Sequence, residues 1–173
     1  MSNAPVESAA LQPRLPSQRF SGRDFFQQAV RDAFSTAARE GWREIIISDA
    51  NFHDWPLGER GVSEALQEWA HGGRRFTMLA GHYDDVVRRH ARFVRWRGTW
   101  DHIITCRRCP SEDPANIPSA LWSSQWVLHR MDTERCVGVC GAEADRRILL
   151  QESLNEWLRS KSAPGFSATT LGL

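Results

Sequence analysis

A mixed α/β fold, with a mainly parallel sheet of about five strands and helices on both faces, is what this 173-residue sequence predicts. Three observations lead there. Short continuous apolar runs (REIIISDA, RRFTMLAG, HIITCR) alternate with longer segments whose apolar residues recur every three or four positions. The stretch SSQWVLHRMDTERCVGVCG, residues 123–141, reads as two strands around a polar turn, which adds an antiparallel hairpin. Hydrophobic residues make up 41% and charged residues 25%, enough apolar material for a buried core in a chain of one-domain size.

In chain order, residues 1–20 read as a disordered leader, 21–162 as a single α/β domain and 163–173 as a tail. Ser21 is a good N-cap for the first helix, SGRDFFQQAVRDAFSTAAREG. Phe26, Val30, Phe34 and Ala37 form its apolar stripe, and Gly41 closes it. REIIISDA is the first buried strand. The next helix, WPLGERGVSEALQEWAHGG, has Pro56 near its first turn, Val62, Leu66 and Trp69 on one side, and Gly72-Gly73 at its end. RRFTMLAG is the second strand. YDDVVRRHARFVRW is a third helix, irregular near Gly98, and HIITCR is the third strand. CPSEDPANIPSALW has three prolines and no periodicity, so it reads as a loop. The hairpin supplies strands four and five. The final helix is AEADRRILLQESLNEWLRSK, with Ile148, Leu149, Glu152, Glu156 and Trp157 defining its sides.

Charge and segment composition narrow the function classes. The formal net charge is +1, so no global field favours nucleic acid or an anionic membrane surface. Lys161 is the single lysine among 22 basic residues, a bias that points to a GC-rich, bacterial-type genome. No apolar run approaches the ~20 residues that a membrane-spanning helix needs. The N-terminus lacks a basic start and an apolar stretch, so export is not expected, the location is read as cytoplasmic and the thiols as reduced. The eight tryptophans have no functional account.

Four constellations could carry chemistry. Asp49, His53, Asp54 and Glu59 cluster where the first strand ends, which is where open α/β sheets bind ligands. Carboxylates with an imidazole could serve a metal-dependent hydrolase; the plainer reading makes Asp49 and Asp54 turn and capping residues before Pro56. Cys106, Cys109, Cys136 and Cys140 form two close pairs. The second pair spans roughly 13 Å of extended chain, too far for one zinc ion, so no metal is expected. Residues 88–102 mix Arg88, Arg89, Arg92, Arg95 and Arg97 with Phe93, Trp96 and Trp100, a pattern able to hold phosphates and stack bases. The competing reading is a helix end with aromatics in the core and arginines solvated or paired with Asp84, Asp85 and Asp101. His129 shares strand parity with Ser123, Gln125 and Val127, so it could look into the same cleft.

The order of elements over residues 22–160 resembles one half of a phospholipase D-type domain. The stretch from Glu44 to Asp85 is similar to that family's opening unit, and 123–141 to its signature hairpin, H-x-K-x-x-x-x-D, with a returning strand ending in Gly-Ser. Registered on Asp132, the His position falls on Gln125 and the Lys position on Val127. An amide is no nucleophile and an isopropyl group holds no phosphate. The small polar position falls near Cys140 and Gly141. The resemblance therefore implies a degenerate half-domain without phosphodiesterase activity. Its role would be binding or scaffolding, with an anionic ligand if the arginines are used. The alternatives are the metal-dependent hydrolase and a nucleic-acid module through residues 88–100. No cofactor and no membrane partner are expected, and nucleic acid is not the expected partner. Because the family's cleft lies between two halves, a homodimer is implied, meeting near Gln125–His129 and Pro110–Trp122 with Trp122 and Trp126 as anchors.

Overall fold

The computed structural model of the protein describes residues 14–110 and 112–166. The chain runs β1 (Gln18–Ser21), α1 (Arg23–Glu40), β2 (Glu44–Asp49), α2 (Arg60–Trp69), β3 (Arg75–Ala80), α3 (Asp84–Arg89), α4 (Ala91–Thr99), β4 (Ile104–Arg108), β5 (Ser119–Ser123), β6 (Val127–Asp132), β7 (Val137–Gly141), α5 (Ala144–Ser160) and β8 (Ala163–Pro164). The strands form one sheet in the order β1-β7-β6-β5-β2-β3-β4-β8. Among the described residues no helix is long and apolar enough to cross a membrane.

The α/β class and the helices on both faces agree with the sequence, but the sheet does not. It has eight strands rather than about five, and only β2–β3 and β3–β4 pair in parallel. The other pairs are antiparallel. The physical reason is connection length. A parallel pair needs a crossover, and α2 and then α3–α4 supply the two that exist. After β4 the chain returns as a meander, so β5, β6 and β7 alternate in direction.

The extra strands come from segments with little signal. β5 lies inside the stretch expected to be a loop, and all five of its residues are buried, so it has no alternation. β1 takes the last three residues of the expected leader together with Ser21, and buries only Phe20. β8 is two residues of the expected tail against Arg107 and Arg108. The rest of the leader (1–13) and of the tail (167–173) lies outside the described residues.

Helix limits shift for identifiable reasons. Ser21 ends β1, so Gly22 takes the N-cap of α1, without a side-chain cap. Gly41 closes α1 as expected, in left-handed conformation with φ 70°, its N–H donating to the Ala37 carbonyl. Pro56 precedes α2, which starts at Arg60. The third expected helix is two, and the break falls at His90 rather than near Gly98.

Strand alternation splits the core in two. Ile45, Ile47, Phe76, Met78, Leu121 and Leu128 face α1–α4 in the larger cluster. Ile46, Ala120, Trp122 and Val127 face the other way, onto Leu150 and Leu154 of α5. The sides of α5 differ from expectation: Leu150, Leu154 and Trp157 are buried, while Ile148 and Leu149 stay exposed.

β6 carries a bulge between Arg130 and Asp132, which leaves Met131 without a cross-strand partner. Facing it, Gly138 has no room for a side chain, since a Cβ there would sit 2.1 Å from the His129 carbonyl oxygen. Gly138→Ala is expected to force the β6–β7 ladder apart and cost about 1–3 kcal/mol or more, read as a lower urea midpoint. An unchanged midpoint would show that the hairpin yields freely.

Candidate functional site

The carboxyl end of β2 and the distal half of β6 meet on the α1 face of the sheet. Arg130 projects to this face, because β6 turns Leu128 and Arg130 one way and Val127 and His129 the other. Its side chain is only 2% exposed, yet every arm is engaged. Nη2 donates to Asp49 Oδ1 at 3.0 Å and to Asp54 Oδ1 at 3.1 Å, and Nη1 to Asp54 Oδ2 at 2.6 Å. Nε donates to Ser119 Oγ at 3.0 Å, and Cys136 Sγ lies 3.4 Å from Nη1. The guanidinium also stacks over the Phe26 ring, 4.2 Å from its centre. Burial alone would loosen the guanidinium's proton, but the Asp54 hydrogen bonds, Cys136 and both carboxylate charges together push its pKa above the ordinary value.

Asp49 is equally committed. Its second oxygen accepts from the backbone N–H of Phe52 at 2.8 Å and of Asn51 at 3.2 Å. That turn places Phe52 at φ 57°, buried, with its carbonyl accepting from His90 Nε2–H at 2.8 Å. The carbonyl can only accept, so His90 holds its proton on Nε2. Burial holds the His90 pKa below that of a free imidazole.

Asp49, His53 and Asp54 line one open cleft of about 470 Å³ with Arg130, and His53, Asp54 and Glu59 line a neighbouring one of about 260 Å³, but their side chains are committed to different partners. Asp49 and Asp54 face Arg130. His53 is half-exposed, its Nδ1 3.5 Å from Asp85. Glu59 pairs with Arg31 through two bonds of 2.7 Å. Among the described residues no three His, Cys, Asp or Glu side chains are placed to hold a metal ion. The turn role expected for Asp49 is present; the Asp54 carboxylate caps nothing and pairs with Arg130 instead.

His129 does not look into this cleft. It points to the α5 face, into a groove of about 460 Å³ with Met131, Val139 and Leu149, and burial lowers its pKa. Gln125 lies in the β5–β6 turn rather than on a strand, so it shares no strand face with Val127. That turn is at the opposite end of β6 from Asp132, whose Oδ1 accepts from the Arg135 N–H in the β6–β7 turn. Val127 is fully buried under α5. Trp122 and Trp126, the expected interface anchors, are buried within the chain and donate their indole N–H groups to the Arg147 and Pro16 carbonyls.

The arginine-rich stretch divides. Arg97 is buried, bonded to Asp101 at 2.6 Å and to the Phe166 carbonyl at 3.1 Å, which removes it from any surface site. Phe93 and Trp96 are core residues against Phe76. Arg88, Arg89, Arg92 and Arg95 stay exposed, and none makes an ion pair among the described residues. Arg92 donates to the Gly58 carbonyl at 3.0 Å. Arg92 and Arg95 form one wall of a groove of about 620 Å³, and Glu64 and Glu68 of α2 stand on the other. The four thiols are free and buried. Cys106 lies on β4 and Cys140 on β7, five strand positions apart, or roughly 24 Å.

Arg130 is the residue that reading from the sequence missed. Its signal was a charge at the inward parity of a strand whose neighbours Val127 and Leu128 are apolar, a position that demands partners.

No family model matches the sequence, and no curated protein is similar to it at sequence level. Solved structures are similar in fold. One is TrmBL2, an archaeal chromatin protein described as showing a novel mode of DNA binding, with a TM-score of 0.63 at 13% identity. The match covers 91% of this chain and 57% of that one. Another is the phosphatidylserine synthase of Haemophilus influenzae, with a TM-score of 0.52 at 13% identity, covering 84% of this chain and 38% of the other. The synthase belongs to the phospholipase D superfamily, so this likeness supports the fold that the hairpin resemblance implies. The chain thus spans less than two thirds of the length of either neighbour.

Two outcomes test the site. Arg130→Met strands the buried Asp49 carboxylate and the partly buried one of Asp54, and is expected to cost about 3–5 kcal/mol in chemical denaturation. Adding Asp49→Asn and Asp54→Asn to it should recover part of that loss; no recovery would mean the charges are not what the arginine serves. Stability should also depend on His90 and His129. Their folded pKa values are depressed, so below about pH 6.5 the unfolded chain takes up protons that the folded chain refuses. Stability is fully present above that pH and declines as pH falls through the folded values, and His90→Gln should flatten the profile.

Proposed function

We propose that the chain is a binding module of phospholipase D-like fold without phosphodiesterase activity, and that its ligand is an anion met by Arg88, Arg89, Arg92 and Arg95. The observation that carries the first half is the state of the two strand ends. At one end Asp49 and Asp54 are both tied to one buried guanidinium. At the other, the positions registered with the family's nucleophile and phosphate-holding cation are a turn glutamine and a buried valine. Neither the tied carboxylates nor the glutamine and valine can act as a base or nucleophile, which leaves His53 as the one exposed imidazole described at the β2 end. The second half rests on four exposed guanidinium groups outside the described ion pairs, since planar forks suit phosphate and carboxylate.

A second reading makes that anion a nucleic acid. It is favoured by the fold likeness to TrmBL2, described as a DNA-binding chromatin protein. This weakens the case against nucleic acid that the modest net charge suggested. The two readings differ in salt dependence. Four arginines on backbone phosphates would lower affinity roughly a hundredfold between 50 and 200 mM salt.

Purified protein is expected to release no p-nitrophenol from bis(p-nitrophenyl) phosphate above the blank; sustained turnover would overturn the non-catalytic reading. Calorimetric titration with inorganic pyrophosphate and with a short DNA duplex tests the ligand class. Binding lost when Arg88, Arg89, Arg92 and Arg95 are together changed to Gln supports the arginine surface. Absence of binding to either probe at low salt removes it, and a steep salt slope with the duplex selects the second reading.

A further inference from the structure

Among the described residues most large apolar side chains are buried, and the two most exposed of the exceptions lie together. Met131 is 69% exposed and Leu149 is 66% exposed. They line the same groove of about 460 Å³, between the β6–β7 hairpin and α5. Val139 continues the lining, and Val137, with the same strand parity, extends it along β7. The cause lies in the fold. α5 packs on β5 and β6, so it leaves the outer part of this sheet face uncovered. The β6 bulge adds to it by freeing Met131 from a cross-strand neighbour. An apolar patch of this kind on a polar chain marks an interaction surface.

We infer that a second copy of this chain covers the groove, through a two-fold contact centred on Met131 and Leu149. The rim supports that occupant. It carries both signs, with Glu143 and Asp145 beside Arg146. A rim of mixed sign is self-complementary across a two-fold axis, because each arginine can meet the other copy's carboxylates. A single-signed rim would repel its own copy and suit a foreign partner. The contact differs from that implied by the family resemblance, whose anchors Trp122 and Trp126 are buried. It is also independent of the arginines of α3–α4, which lie on the opposite face of the sheet.

Sedimentation of the full chain at several concentrations tests it. The wild type is expected to be a dimer at micromolar concentration. Leu149→Glu and Met131→Glu should each weaken the dimer about tenfold or more. Both side chains are mostly exposed, so the far-ultraviolet spectrum and unfolding midpoint of the monomer should be kept. Val87→Glu, at an exposed apolar residue away from the groove, serves as the control and should leave the dimer intact. A wild type that remains monomeric at high concentration overturns the inference, as does a dimer that persists in both groove variants.

Discussion

A single buried guanidinium holds the two halves of this sheet to a common geometry. Arg130 reaches from β6 across Ser119 of β5 to the turn that follows β2, and closes on Asp49 and Asp54. A charge so deep is tolerable only because its donors are satisfied and a ring lies against its face. The constraint propagates. Asp49, fixed by the arginine, spends its other oxygen on the Phe52 N–H, which holds Phe52 in the left-handed region. The Phe52 carbonyl then receives His90, and His90 is where α3 stops and α4 begins. A polar interaction at the end of one strand thus decides where a helix breaks on the far side of the core.

This use of charge bears on function. The carboxyl ends of strands in an α/β sheet are where ligand chemistry is usually staged. Here the acidic groups at that position are consumed in holding the fold together. The likeness to a chromatin protein and to a phospholipid-synthesising enzyme shows that one framework serves unlike purposes, and it extends to architecture alone. The exposed arginines on α3–α4 and the apolar groove beside α5 lie on opposite faces of the sheet, so one chain can present two surfaces without conflict.

Much of the α1-to-β4 half was legible in the sequence, because its signals are strong and local. Phe26, Val30, Phe34 and Ala37 mark one helix face, Gly41 ends it, and IIIS and TMLA are continuous buried strands. The second half was harder. β5 is buried on both faces and follows three prolines, so neither alternation nor turn chemistry announced it. Its omission moved the start of the next strand back to Ser123 and put Gln125 on a strand where it does not sit. β1 and β8 are strands only because β7 and β4 offer them an edge, which no local propensity records. The site failed for a related reason. Asp49 and Asp54 were visible, but their partner lies 76 to 81 residues away, and a pairing at that distance is written in the tertiary fold.

The two borders of the sheet are both unsuited to growth. On one side the chain ends its pairing with two residues, the second a proline that has no N–H to give. On the other lies a four-residue strand carrying Arg19 at an exposed position. Such borders discourage the strand-by-strand recruitment that leads to fibres and swapped assemblies. The broad faces of the sheet, rather than its edges, are thereby left as the surfaces open to a partner.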